Sequence, residues 1–308
     1  MMTDAKVKKS GDRLLFFSSL AGFLLILAFP TVVADGVRSG LALSYRAVLP
    51  AVFPSIVLTS LLFSRSGGLL EKTVGRVFSR LFRVSPRGVV AWIAGLFAGF
   101  PVGAVTVAND VKAGRLTKSE GEYLLSFVNN TGPAFLVGGI GVGLFGSARL
   151  GWALYAIEIP VSVAVGLCFR PRAHLSSRSN FSSTGDALDP VSAIVSATET
   201  AVRIVGFVCF FSAVSSLLSL LLPAGLPLAV ATAALEVGSG AARAASLSFP
   251  FPAFPLVAFA VCFSGLSVSC QTVAVVKEAG LDAKMHRKGK IAAGALAFIL
   301  SSLFCLTK

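Results

Sequence analysis

The stretch GLFAGFPVGAVTVANDVKAGRLTKSEGEYLLSFVNNTGPAFLVGGIGVGLFG, residues 95–146, decides the fold class. Its two apolar segments flank a short charged one that runs from Asp110 to Glu122, and the full runs 88–109 and 123–148 contain no Asp, Glu, Lys or Arg. Each run matches the roughly 20 residues a helix needs to cross hydrocarbon. Each is also interrupted near its middle, by Gly99-Phe100-Pro101-Val102-Gly103 in the first and by Asn129-Asn130-Thr131-Gly132-Pro133 in the second. Glycine and proline open a helix, and an open backbone in lipid leaves amides and carbonyls unpaired. Such breaks persist only where they line a cavity or a wet path inside protein. The stretch therefore predicts broken or re-entrant membrane helices that meet within a bundle.

The rest of the chain has the same character. Runs 14–34, 204–235, 244–276 and 291–307 are also uncharged, and only 13% of the 308 residues are charged, against about 25% in a soluble domain. The expected fold is an all-α polytopic membrane protein in the bacterial inner membrane, with the lipid bilayer as its surroundings and no room for a soluble enzyme domain. The net charge of +13 sits in short segments beside apolar runs. That is the positive-inside pattern, not a nucleic-acid-binding stripe.

The chemistry-bearing residues are sparse. Cys168, Cys209, Cys262, Cys270 and Cys305 lie in apolar surroundings without a CxxC, and His174 and His286 fall in segments read as polar loops. No zinc motif, no metal site and no cofactor is expected. No nucleophile sits beside a base, so no enzyme activity is expected either.

The run 14–34, preceded by Lys6, Lys8, Lys9 and Arg13, reads as a retained first helix with a cytoplasmic N-terminus. Residues 36–64 carry Arg46, Pro50 and Pro54, so a kinked or broken helix is expected. Lys72, Arg76, Arg80, Arg83 and Arg87 recur every three or four residues opposite Leu70, Val74, Phe78 and Leu81. This pattern predicts a basic amphipathic helix in the cytoplasmic interface. The polar linker 170–190, with Arg170, Arg172, His174 and Arg178, divides the chain. If every apolar run crossed once, that linker would lie outside, against the positive-inside rule. One interrupted element of the first half must therefore dip and return; the sequence leaves open which one.

The halves align with each other. An offset of 166 sets Phe97, Gly99, Val102, Thr106 and Gly114 over Phe263, Gly265, Val268, Thr272 and Gly280. An offset of 165 sets Leu70, Glu71 and Gly75 over Leu235, Glu236 and Gly240, and one of 157 sets Arg46, Phe53 and Leu61 over Arg203, Phe210 and Leu218. Repeats with interrupted helices at corresponding positions point to a secondary-transporter site, commonly with one repeat inverted.

The candidate site residues follow from polarity at depth, which is expensive without a partner. They are the Gly99, Phe100, Pro101 and Gly103 break, Asn129, Asn130 and Thr131, then Glu236 and Ser239, and the second-half Gly265, Ser267, Ser269 and Gln271. Capping of a broken backbone and helix–helix hydrogen bonding are the competing roles. Glu199 and Arg203, at i and i+4, read as a neutralising ion pair. Arg46 reads as a snorkelling side chain or an anion contact, and Glu158, near Pro160, as structural.

Residues 95–146 resemble the Gate, or nucleoside-recognition, domain of bacterial membrane proteins, and within it the sporulation integral membrane protein branch. The resemblance rests on the Gly99–Gly103 break, on Gly114, Thr117 and Glu120 as Gly-x-x-[ST]-x-x-Glu, and on Asn129-Asn130 before Gly132-Pro133. It extends to Leu235-Glu236 and to Ser264-Gly265-Leu266-Ser267. The resemblance covers roughly 40–308 and implies Gate-like repeats over 41–169 and 191–308 with the linker 170–190 between them, behind the cytoplasmic N-terminus and first transmembrane helix read within 1–40. It also implies carriage of a small-molecule substrate, a dipicolinate-like organic anion, in the membrane around the forming spore. A nucleoside or other neutral-metabolite carrier and a non-transporting sporulation scaffold stay open, as does a homo-oligomer. In the second repeat Leu266 and Ser267 stand where the first has Phe100 and Pro101.

Overall fold

The computed structural model describes residues 2–66, 68–175, 188–247 and 250–306, and the side chains of 12–66, 68–175, 188–247 and 253–306. Lys6, Lys8 and Lys9, and Arg178 with the Ser-rich part of the linker, lie outside the described side chains. Among the described residues the chain is all helix, without a strand. Five helices there are long and apolar enough to cross a membrane.

Helix α1 spans Met2–Ala28, and its apolar side chains, Leu14 to Leu27, are largely exposed, as suits a lipid-facing helix. Phe29 leaves helical geometry (φ −129°, ψ 55°). The expected 14–34 helix therefore stops at Ala28, and Pro30 at a helix start opens the next one. That helix, α2, covers Pro30–Ser64 as one long span. The break expected at its prolines is instead a π-turn, Ser44–Val48, in which the Leu49 amide bonds back to the Ser44 carbonyl. A π-turn re-pairs groups that Pro50 would otherwise leave open.

The interface helix α3, Glu71–Phe82, meets α4, Pro86–Ala98, at 100°. Arg83 makes the corner in left-handed geometry (φ 57°), and the Ser85 hydroxyl accepts from the Gly88 amide to start α4. Phe82 meets Trp92 edge-on and Phe127 at a tilt, and Trp92 Nε1 donates to Ser162 at 2.7 Å.

Helix α4 ends at Gly99, and α5, Val102–Lys112, runs back beside it. Gly95 and Gly103 face each other across the pair, and Arg87 at one end holds Asp110 at the other (2.8 Å). Thirteen residues of α4 reach about 20 Å. Residues 86–112 are thus a re-entrant hairpin, and this is the element that dips and returns. Its tip is Gly99-Phe100-Pro101, with a cis peptide before Pro101.

Next comes a broken span. Helix α6, Lys118–Leu124, is capped by Thr117, whose hydroxyl accepts from the Glu120 amide. The buried Glu120 carboxylate accepts from the Ser85 amide (2.6 Å), tying this span to the hairpin's start. Residues 125–132 are non-helical, and α7, Phe135–Phe145, completes the crossing. Helix α8, Ala148–Cys168, returns.

The second half repeats this order. Helix α9, Pro190–Leu218, lies antiparallel to α2: a Cβ on Gly36 would meet Ala213 Cα at 2.7 Å, and one on Gly40 would meet Cys209 Cα at 2.8 Å. Such close approach through small residues is how membrane helices gain packing energy. Helix α10, Leu226–Leu235, and α11, Val237–Ala245, form a second hairpin with Glu236 at its tip, Gly240 packing on Ala233. Helix α12, Pro250–Phe263, and α13, Gly265–Glu278, form the second broken span, interrupted at Ser264 (φ 68°). Helix α14, Lys284–Leu306, is the last.

Span, hairpin, broken span, span therefore occurs twice, over 30–168 and 190–306. The first hairpin opens at the same surface as the 65–87 and 170–175 segments: Arg83 donates to the Pro171 carbonyl (2.9 Å) and Arg65 to that of Leu188 (3.3 Å). The second hairpin begins at Leu226, beyond the Leu218 end of α9. Nine basic side chains (Arg65, Arg76, Arg80, Arg87, Arg115, Lys118, Arg170, Arg172, Lys284) lie in the segments grouped at the first surface, the side that the positive-inside rule predicts to be cytoplasmic.

Three sequence expectations are corrected here. The offset of 166 sets the α4–α5 hairpin against the straight α12–α13 span, so those segments are not architectural equivalents, although Gly99 (φ 84°) matches Gly265 (φ 65°) and Gly114 (φ 70°) matches Gly280 (φ 67°). The offset of 157 does pair α2 with α9. His286 does not lie in a polar loop: α14 starts at Lys284 and buries it, as it buries Lys290. Glu199 and Arg203 are both exposed and form no ion pair among the described residues, because i, i+4 spacing only permits one.

Candidate functional site

The two hairpin tips and the two breaks meet. A Cβ on Gly99 would lie 2.6 Å from the Gly132 amide nitrogen, so the first tip rests on the first broken span. A Cβ on Gly265 would lie 3.0 Å from the Leu235 carbonyl oxygen and 3.1 Å from the Glu236 nitrogen, so the second tip rests on the second broken span. The halves are then joined to each other. Thr131 Oγ1 donates to the Val261 carbonyl (2.9 Å), and Asn129 Nδ2 donates to Thr272 Oγ1 (2.9 Å).

Between them lies a narrow cleft, bordered by α2, α7 and α9 as well. Its polar groups are Thr131, Glu236 and Gln271, with the Gly99-Phe100 and Gly132 backbone; Phe100, Phe135, Ile204, Val208 and Val268 supply apolar walls. Among the described residues no lysine or arginine lines it. Small-molecule sites share this lining, mostly apolar walls with a few placed polar groups.

Glu236 is 1% exposed. Its extended backbone ends one hairpin arm and its carboxylate caps the next, accepting from the Gly238 amide (3.0 Å) and the Ser239 amide (2.5 Å). Two amides at a helix N-terminus are a strong setting for a negative charge. Gln271 is buried, with Nε2 3.5 Å from Ser267 Oγ and Oε1 without a protein partner.

The expected residues separate accordingly. Gly99, Phe100, Thr131, Glu236 and Gln271 border the cleft. Pro101 and Gly103 shape the first hairpin, Gly103 by admitting the Val128 carbonyl. Asn129 joins the halves. Ser239 bonds Ser212 (3.0 Å), Gly265 admits the second tip, Ser267 is buried beside Gln271, and Ser269 is half-buried away from the cleft. Asn130 faces a second, small cavity on the other side of the broken spans. Arg46 is exposed, as a snorkelling residue would be.

The second cavity holds what the sequence reading passed over. Glu158 and Lys290, 2% and 4% exposed, both border it with Asn130, Ser126, Ser162 and Cys262. Glu158 Oε1 accepts from the Thr131 amide (2.6 Å), while Oε2 has no protein partner. Lys290 Nζ donates to the Cys262 carbonyl (3.2 Å) and to Ser264 Oγ (2.9 Å). The available signal was Glu158 itself, the single charge between Arg149 and Arg170 and at mid-span. Lys290 gave none, being one of several basic residues before an apolar run.

Outside the spans, Ser192 hydrogen bonds hold the Asp189 carboxyl below its usual range, and Lys284 hydrogen bonds do the same for Asp282. Both stay charged near neutrality and serve as end groups. Among the described residues no cluster of three metal-ligating side chains occurs.

This geometry belongs to a chain with a recognisable relative. It is similar to the sporulation integral membrane protein YlbJ of Bacillus subtilis (strain 168), 25% identical over 325 aligned residues, which cover 90% of this chain and 79% of that protein. No family model matches the chain. No solved structure matches it. With a relative that is an integral membrane protein and five spanning helices of its own, the chain is a multi-pass membrane protein.

Proposed function

We propose that the protein is a membrane carrier for a small polar solute and that it acts during spore formation. The observation that carries this reading is the meeting of two hairpin tips and two broken spans on one cleft. An opened backbone at mid-depth is costly in lipid and useful only where a solute or water uses it. A scaffold has no need of it. The sporulation setting rests on the relative's name.

The first substrate class is a small organic anion of the dipicolinate kind. It is supported by the helices that start at the breaks, at Val102 and Gly265, since helix N-termini attract anions. The carboxylate of Glu236 opposes a bare anion, so the anion would travel with a proton or cation. The second reading, a nucleoside or other neutral metabolite, is favoured by the lining itself. Phe100 and Phe135 offer rings, Thr131, Gln271 and Glu236 offer hydrogen bonds, and among the described residues no cationic side chain lines the cleft. Uptake of radiolabelled dipicolinate, uridine and short dicarboxylates into proteoliposomes tests both. Saturable uptake of one class selects it, and uptake of none removes the carrier reading in favour of a scaffold.

A further inference from the structure

We propose that Glu158 and Lys290 form an internal proton-binding site that controls the two broken spans from behind the cleft. The coupling part of this proposal rests on the carrier reading; the proton site does not.

Four observations carry it. Both side chains are almost wholly buried, yet they form no ion pair within 4.0 Å. A pair kept only for stability would close, because the desolvation of two charges is repaid only in good contact. Instead a small cavity, with Ser126, Asn130 and Ser162 on its walls, is bordered by both; its size and polar walls suit about one water molecule. Glu158 Oε2 has no protein partner, so it can take a proton without losing a bond.

Each group also grips one break. Glu158 holds the Thr131 amide of the first broken span, and Lys290 holds Cys262 and Ser264 of the second. Thr131 borders the cleft and bonds across to Val261. Anything that changes Glu158 therefore reaches the cleft through one residue.

The step is simple. A proton from cavity water binds Glu158 Oε2; Lys290 stays an ammonium, and the pair's net charge goes from zero to +1. The neutral acid is a weaker acceptor for the Thr131 amide and no longer balances Lys290, which favours a rearranged pair of breaks. On deprotonation the proton returns to water. A sodium ion is a poor occupant, since the Lys290 ammonium repels it. The titratable groups around Glu158 are Tyr155 on its own helix, Cys262 on α12, and Lys290 with His286 and Arg287 on α14; α7 contributes none.

The test is infrared difference spectroscopy of the full-length protein in liposomes as buffer moves from mildly alkaline to mildly acidic. A carboxylic-acid carbonyl band should appear in the parent and in Glu236→Gln, and be absent in Glu158→Gln. In Lys290→Gln the band should persist to more alkaline pH, because the nearby positive charge is gone; this variant carries the test if Glu158→Gln does not fold. A titrating band unaltered in Glu158→Gln or in Lys290→Gln overturns the proposal. Parallel uptake assays separate the two readings. A Glu158-dependent band without uptake of any solute keeps the proton site and removes the carrier. Uptake without such a band, and indifferent to an imposed pH gradient, removes the proton site and keeps the carrier.

Discussion

Arg87 and Asp110 close the first re-entrant hairpin at its mouth: Nε meets Oδ2 at 2.8 Å, and Arg115 binds the same carboxylate at 2.7 Å. Asp110 is 1% exposed, whereas Arg87 is partly exposed and also reaches Glu71 at 3.2 Å. Removing one partner of a fully buried pair costs about 3–5 kcal/mol, and the partial exposure of the arginines lowers that. Asp110→Ala should destabilise the protein by about 2 kcal/mol, measured as earlier thermal unfolding in detergent. Asp110→Asn should lose less. A melting curve unchanged in Asp110→Ala would show that the hairpin does not depend on this closure.

The hairpin's arms are spaced for a backbone carbonyl. A Cβ on Gly95 would lie 1.8 Å from Val128 O, and one on Gly103 would lie 2.2 Å from the same atom. Neither obstacle is a side chain that can swing away. Gly95→Ala or Gly103→Ala should push the broken span off the hairpin and sharply reduce monodisperse protein in size-exclusion profiles. Gly138→Ala, which meets nothing within 4 Å, should run like the parent. Equal profiles for all three would refute the packing.

These contacts also show what was legible in the sequence. Glycine, proline and adjacent asparagines inside uncharged runs mark a break locally, so 99–101, 129–132, Glu236 and Ser264 could be read directly. Whether a broken run crosses or returns depends on long-range partners. Arg87–Asp110 joins residues 23 apart, and Gly95–Val128 is set by a different span. The repeat misled for a related reason: helix ends share a local grammar, so Gly99 and Gly265 adopt similar φ values in elements with different paths. The partition of the polar residues was illegible as well. Asn129 and Asn130 are neighbours in sequence, but extended backbone points successive side chains opposite ways, one to Thr272 and the other to the second cavity.

The order of spans and hairpins predicts sidedness. In a cysteine-free background, single cysteines at Lys118 and Arg172 should react with an impermeant thiol reagent from the cytoplasmic side only. Cysteines at Arg149 and Leu221 should react from the opposite side only. All four positions are exposed. Labelling of Lys118 and Arg172 positions from opposite sides would mean that 118–168 does not cross twice, and the hairpin assignment would fail with it.

The cleft itself makes the sharpest prediction, because Glu236 is its one carboxyl side chain among the described residues and its position is fixed. Glu236 is held by the Gly238 and Ser239 amides, so Glu236→Gln keeps the side chain's length but weakens the cap. The structural cost should be about 1 kcal/mol, small enough for the folded protein to survive. The effect on uptake then depends on the solute. For an organic anion the substitution removes a repulsion, so uptake by proteoliposomes should rise. For a nucleoside it removes a charged acceptor, and a lost charge-assisted hydrogen bond of about 1.5–3 kcal/mol should lower uptake at least tenfold. Gln271→Leu removes an amide without changing charge and should weaken both. Val208→Trp, which fills the apolar wall opposite, should block both while leaving the melting temperature near the parent's. If uptake is the same in all three variants, the solute does not pass through this cleft.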